Sequence, residues 1–460
     1  MVARRRIERE FIEVPSHEPV FHPHSFADDA GRLFRWDEKL WRGITHEHAS
    51  FFDSLFRDGT IQALVDRGLL IETEPTNLAL DGYGMVLSHR SVPFISYPNE
   101  WSAGMLKDAA LTILDLAIEL AQQDLILKDA HPWNVLFDWS HPIYVDLTSI
   151  APPENRSTWS AYDEFCRFCY YPLILMSLGQ ERIARSLLPE YQGVLRSELL
   201  TLARGSLPSR FVVQRLVRRC FNSTLPLIGR ASHRSALALL KQARRDIETI
   251  QLPSYKRRHR RRLLDTMFSP SSESEWTSRP LMLRKILTTL QPGNILDLSR
   301  GPTWTTTVPA TMGFKVVSID PDAARISALY ETARDKNLAI LPLIVDFIKP
   351  TPSVGYSDHY SIAATERLKC DLVLALGLTD GIALENHLSL DLIAEGLAAF
   401  SKRWLLVGVG ERKKGETNGS VYPGPATVRL EDFGAALRKR FSQVSVVSPA
   451  RSGTLLLCEK

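Results

Sequence analysis

Two hydrophobic rhythms succeed one another along this chain. In "GRLFRWDEKLWRGI" (31–44) apolar and polar positions alternate on either side of Asp37-Glu38, which predicts a β-hairpin turning at that pair. "THEHASFFDSLFRDGTIQALVDRG" then returns apolar residues at helical spacing, and "GMVLSHRSVPFISYP" reads as a further strand pair. "EWSAGMLKDAALTILDLAIELAQQD" predicts a long helix, and "LILKDAHPWNVLFDWSHPIYVDLTSI" (125–150) a set of short β-rich runs. From about residue 158 to 250 the pattern is helical throughout. Beyond about residue 281 short continuous apolar runs alternate with helical segments: "NILDLS", "KVVSID", "LAILPLIVDF", "CDLVLALGL", "RWLLVGVG", "VSVVSP" and "GTLLLCEK". Such alternation predicts a doubly wound α/β sheet, and the last two runs, with no helix between them, predict an antiparallel hairpin.

The breaks between these patterns give the expected domains. Residues 1–30 contain Pro and His without periodicity and read as an extended arm; 31–252 form one domain. The stretch 253–280, a basic run followed by Ser, Pro and Glu, reads as a linker, and 281–460 form a second domain. A length of 460 residues agrees with more than one core. With 44% apolar and 23% charged residues the chain has ordinary soluble composition, and a formal charge of +4 does not by itself imply a nucleic-acid partner. The basic start lacks an apolar core, so it is not a secretory signal, and the longest apolar runs fall short of a membrane span. Five cysteines, an odd number, point to a reducing compartment and a cytoplasmic protein. Cys166 and Cys169 make one CxxC with no second pair, so two packed thiols are expected rather than a zinc site, and no metal is expected. "KRRHRRR" (256–262) could meet nucleic acid or an anionic surface; its ordinary reading is a solvated face.

In a doubly wound sheet ligands bind beyond the carboxyl ends of the strands. Three acids occupy such ends: Asp297 in "ILDLSRGPT", Asp320 in "VVSIDPD" and Asp346 in "LIVDF". Asp320 lies 23 residues after Asp297, the place from which an acid commonly takes ribose hydroxyls. Acids with nothing to bind would repel one another there, so their joint presence points to retained binding. Seven strands, a terminal hairpin and this set of acids resemble the class I S-adenosylmethionine-dependent methyltransferases over 281–460. That resemblance implies S-adenosyl-L-methionine as cofactor, with Asp297, Ser299, Gly301, Asp320 and Asp346 binding it and Asp346 toward the adenine. Of the family's loop glycines only Gly301 is kept; Ser299 and Thr303 stand at the others, adding side-chain atoms where the cofactor's amino-acid end would approach. The loop after the fourth strand, where acceptor groups gather in that family, reads "LGLTDGIALENH" and offers Thr379, Asp380, Glu385 and His387. Asp380 is the candidate catalytic acid or base; an Asp-Gly turn residue is the alternative. Structural acids in another Rossmann-like domain are the alternative for the whole set, and NAD is disfavoured by the missing glycine fingerprint.

The stretch "KDAHPWNVLFD" followed by "IYVDL" raises a second possibility in the first domain: a phosphate-transfer site, or turn chemistry in an inherited scaffold. It resembles the catalytic and metal-binding loops of aminoglycoside phosphotransferases and other protein-kinase-like enzymes. The resemblance implies an acceptor-orienting Asp129, and Asn134 and Asp146 as Mg²⁺ ligands. The rest of such an enzyme is missing: there is no glycine-rich loop, and Lys39 is the only lysine before residue 100. Arg42 is the nearest stand-in for the phosphate-binding lysine. The three residues are therefore expected as a kinase-like remnant, with Asp129 and Asn134 bonding loop backbone. The expected fold is α/β: a C-terminal Rossmann-type seven-stranded methyltransferase sheet preceded by a degenerate α+β kinase-like domain, partial and mainly C-lobe.

The two halves in this order resemble the NoeA-like family of nodulation proteins across nearly the whole chain. That resemblance implies methyl transfer to a small-molecule or glycan acceptor in host-specific nodulation signal synthesis. Many of its relatives carry a His pair after strand four and an acid after strand five; here Thr379-Asp380 and a displaced Glu411 stand there. A cofactor-binding scaffold without turnover, and a kinase-like phosphotransferase, are the competing readings.

Overall fold

The turn at Asp37-Glu38 forms because both residues take positive φ, 50° and 59°, as a two-residue hairpin turn demands. The computed structural model describes residues 11–22, 25, 28–153, 159–203, 236–252, 278–299, 304–355, 360–378, 388–409, 428–450 and 453–460. The chain divides into two compact units, one of Met1–Pro93, Leu106–Leu136 and Pro142–Leu252, the other of Phe94–Met105, Phe137–His141 and Pro253–Lys460.

In the first unit β1 (Ile12–Glu13) pairs in parallel with β6 (Leu78–Ala79), so the segment read as an arm contributes a strand. Strands β2 (Val20–Phe21), β3 (Gly31–Trp36), β4 (Lys39–Ile44), β7 (Met85–His89) and β5 (Thr73–Pro75) form an antiparallel sheet in that order. Val14, Phe34, Trp41, Leu78, Leu80 and Val86 pack as one apolar cluster. Only the first half of "GMVLSHRSVPFISYP" is a strand; Pro93 lacks an amide donor, and the residues after it belong to the other unit. The helix expected after the hairpin breaks in two, His46–Arg57 and Thr60–Asp66, where Gly59 takes φ 83°.

The long helix spans Ala103–Gln122. After it, β8 (Ile126–Leu127) pairs with β11 (Ile150–Ala151), and β9 (Val135–Asp138) pairs with β10 (His141–Tyr144) between them. Helix Ala236–Thr249 is strapped to the long helix by Arg244 on Asp115 and by Lys107 Nζ, which donates to the carbonyls of Glu248 and Ile250 at 2.9 Å each. Cys166 and Cys169 are reduced, buried thiols in a π-helical turn, Cys166–Tyr170.

All seven late apolar runs are strands of one sheet in the second unit: β12 (Ile295–Asp297), β13 (Val316–Ile319), β14 (Ile340–Leu343), β15 (Cys370–Ala375), β16 (Ser401–Val409), β17 (Gln443–Ala450) and β18 (Gly453–Glu459). Their order is β14-β13-β12-β15-β16-β18-β17, with β18 antiparallel to both neighbours and the first five strands mutually parallel. β12, β13 and β14 are buried at every residue, which is why they read as continuous apolar runs instead of alternating ones.

Phe94–Met105 is held in this unit by a buried ion pair. The side chains of Arg367 and Glu100 are 2% and 1% exposed and in direct contact. Arg367 Nε donates to the Ile362 carbonyl at 3.0 Å, Nη1 to that of Ile95 at 2.7 Å, and its guanidinium stacks 4.6 Å from the Tyr97 ring centre. Glu100 Oε2 accepts from the Tyr97 amide at 3.0 Å, and its carbonyl from the Ile344 amide, just past β14, at 2.7 Å. Glu100→Ala would leave the guanidinium buried without its carboxylate. The expected loss in denaturant unfolding of the full chain is about 3–5 kcal/mol, and a loss below about 1 kcal/mol would mean that the carbonyls alone neutralise Arg367.

Candidate functional site

Strand order reverses between β12 and β15: β13 and β14 lie to one side, β16 to the other. In open sheets of this kind ligands bind outside the carboxyl ends of the strands at such a reversal, here those of β12 and β15. Asp297 ends β12 and is 2% exposed. Its Oδ1 accepts from the Ser299 amide at 2.9 Å, and its Oδ2 from the hydroxyls of Thr305 and Thr306 at 2.7 and 2.5 Å. Both threonines stand in the first turn of helix Trp304–Thr311, where a carboxylate also suits the exposed amides. The Ser299 hydroxyl accepts from the Leu376 amide at 3.0 Å, joining the first loop to the end of β15. A glycine could not make this bond.

Asp320, directly after β13, accepts from the Asp322 amide at 2.7 Å through Oδ1 and from Arg325 Nη1 at 2.6 Å through Oδ2; the pair's side chains are 9% and 17% exposed. Asp346 follows β14 and accepts from the Ile348 amide at 3.1 Å. The three acids thus have donors of their own, which removes the premise that without a ligand they would simply repel one another. Gly301, Thr303, Thr379, Asp380, Glu385, His387, Glu411 and the basic run 256–262 lie outside the described residues. Among the described residues no cluster of His, Cys, Asp and Glu is placed to hold a metal ion.

In the first unit the structure brings Asp129, Asn134 and Asp146 into one network. Tyr144 links two of them, its hydroxyl donating to the Asp129 carbonyl at 2.8 Å and accepting from Asn134 Nδ2 at 3.1 Å. Ser149 Oγ lies 2.9 Å from Asp129 Oδ2 and 2.6 Å from Asp146 Oδ2. The side chains of Asp129 and Asn134 therefore bond hydroxyls, not loop backbone as expected, because Tyr144 and Ser149 project between them. Arg42, on β4 and 3% exposed, reaches both Asp28 Oδ2 and Asp146 Oδ1 at 3.1 Å. Its Nε donates to His89 Nε2 at 3.3 Å, which leaves His89 Nδ1 to donate to Thr73 Oγ1 at 2.8 Å. Burial disfavours the charged form of Asp146, but Arg42 and then the hydroxyls of Ser149 and Thr148 outweigh it and hold the carboxyl below its usual range. Burial and the adjacent guanidinium push the His89 imidazole down to about 3.

Sequence reasoning missed Asp28, Thr148, Ser149, His89, Thr305, Thr306 and Arg325. Thr148-Ser149, two and three residues after Asp146, and an arginine five residues after Asp320, were available signals. Asp28 carried none, because its partners lie far along the chain.

No family model matches the chain. The nodulation protein NoeA of Rhizobium meliloti (strain 1021) is 25% identical to it over 399 residues, covering 80% of each chain. The chain resembles NoeA. That similarity is the one expected from the order of motifs. Among solved structures, TehB from Haemophilus influenzae is 13% identical with a TM-score of 0.29, covering 40% of this chain and 63% of its own. The T. thermophilus 16S rRNA N2 G1207 methyltransferase RsmC is 16% identical with a TM-score of 0.27, covering 41% and 45%. The bifunctional kinase-methyltransferase WbdD is 12% identical with a TM-score of 0.31, covering 43% and 45%. The match spans less than two thirds of each of these three proteins.

The His89 environment sets a pH dependence. Between its folded pKa of about 3 and the ordinary 6.5, the unfolded chain binds a proton that the folded chain refuses. Stability is thus fully present above the unfolded value and falls as pH drops below it, by up to about 1.4 kcal/mol per unit. Asp146, also lowered, adds its loss only as pH falls below its ordinary 3.8. His89→Gln keeps an acceptor for Arg42 and a donor for Thr73, and is expected to flatten the slope between pH 6.5 and 4 in denaturant titrations. An unchanged slope would place the titrating group elsewhere.

Proposed function

We propose that the second unit binds S-adenosylmethionine and that the protein transfers its methyl group to a small-molecule or glycan acceptor. The observation that carries this reading is the sheet order with a single reversed strand, β18, together with acids at the ends of β12, β13 and β14. This is the layout of the class I methyltransferases, and the similarity to NoeA supports a place in nodulation signal synthesis. The reduced, buried thiols Cys166, Cys169, Cys370 and Cys458 suit a reducing, cytoplasmic setting.

The bound sulfonium would supply an already activated methyl group, so the chain's task is orientation. Asp320 accepts the ribose hydroxyls. Each of its oxygens already takes a bond from within the protein, and a carboxylate oxygen has two acceptor positions, so the ribose joins or displaces Arg325. Asp346 serves the adenine side. Asp297 holds Ser299, Thr305 and Thr306, the described residues on either side of the first loop, and Gly301 is the candidate for the amino-acid end of the cofactor. Asp380 is the acceptor-side acid or base. The first unit is a kinase-like module in a non-catalytic role, since Arg42 lies on the acid that would hold Mg²⁺. A cofactor-binding scaffold without turnover is the second reading, favoured by the Arg325 contact with Asp320.

Calorimetry with S-adenosylhomocysteine and NAD separates these readings. Binding of S-adenosylhomocysteine and not of NAD is expected, weakened by roughly 1–3 kcal/mol in Asp320→Ala. Folded protein that binds neither at millimolar ligand would sink the reading. Binding without methyl transfer to any glycan or small-molecule acceptor would leave the scaffold.

A further inference from the structure

The cluster around Asp146 is built like a cation site and already contains a cation. Arg42 Nη1 lies 3.1 Å from Asp28 Oδ2, 3.1 Å from Asp146 Oδ1 and 2.5 Å from Thr148 Oγ1. Two carboxylates and a hydroxyl converging on one positive centre are the hard oxygen donors that Mg²⁺ or Mn²⁺ prefers. The hydroxyls cannot neutralise the acids themselves. Thr148 has one proton and stands within bonding range of both Asp28 and Asp146; Ser149 has one and stands between Asp129 and Asp146. The positive charge has to come from another side chain. Arg42 supplies it from a fixed position, because its own strand is paired on both sides and its Nε is tied to His89.

We propose that Arg42 is the resident cation of this acid cluster: a guanidinium from β4 stands where a divalent ion would sit, and removing that side chain uncovers a divalent-cation site. A tethered guanidinium does not dissociate, so millimolar Mg²⁺ does not compete with it. Mg²⁺ also needs oxygens at about 2.0–2.1 Å, which the acids cannot offer while Nη1 lies between them. The inference is independent of the methyl-transfer reading, since every residue in it belongs to the first unit.

Mn²⁺ binding followed by electron paramagnetic resonance on the full-length chain tests it. Wild type is expected to leave millimolar Mn²⁺ free, and so is Arg42→Lys, which keeps a cation. Arg42→Ala is expected to bind Mn²⁺ at least about tenfold more tightly than wild type, to gain thermal stability from it, and to lose both effects when Asp146→Asn is added. Where Arg42→Ala does not fold alone, refolding from denaturant with and without Mn²⁺ replaces the titration, and recovery only with the ion supports the proposal. It is overturned by wild-type Mn²⁺ binding that Asp146→Asn abolishes. Folded Arg42→Ala that binds no Mn²⁺, or unfolded Arg42→Ala that Mn²⁺ does not recover, overturns it equally.

Discussion

A charge taken out of water must meet its counter-charge inside the protein, and that constraint organises both units. Arg367 is buried against Glu100, and by holding Glu100 it assigns Phe94–Met105 to the second unit even though its neighbours in sequence belong to the first. Arg42 is buried against Asp28 and Asp146, and through them it draws a residue near the start of the chain onto the loops after the long helix. In each case apolar burial alone would tolerate other arrangements. The unpaired ion would not.

What could be read from sequence divides along the same line. β12, β13 and β14 are covered on both faces, so every residue is apolar or satisfied and the runs stand out. The hairpin was legible because two adjacent polar residues interrupt an alternating pattern. β5 spans only Thr73–Pro75, too short to carry a period. Gly59 breaks a helix whose apolar spacing continues across it. Glu100 and Arg367 lie 267 residues apart, and neither leaves a local mark of the other. The strand-end positions of Asp297, Asp320 and Asp346 follow from the runs they terminate. Their internal partners do not, because hydroxyls and guanidiniums on neighbouring helices follow no period.

Ser299 ties the segment after β12 to the end of β15. A glycine in such a loop leaves space, whereas a serine fills it and must place a hydroxyl. Here the hydroxyl accepts from the Leu376 amide across the reversal between β12 and β15. The loop gains a tie to β15 in exchange for conformational freedom.

The same device, an arginine on a strand-end or loop acid, has opposite consequences in the two units. At Asp146 the guanidinium contacts two carboxylates, a hydroxyl and an imidazole, and its side chain is 4% exposed. Displacing it would unpair two carboxylates, themselves 22% and 21% exposed, and an imidazole at once. At Asp320 the arginine is 17% exposed and comes from the following helix, so water or a ligand hydroxyl can replace part of what it gives up.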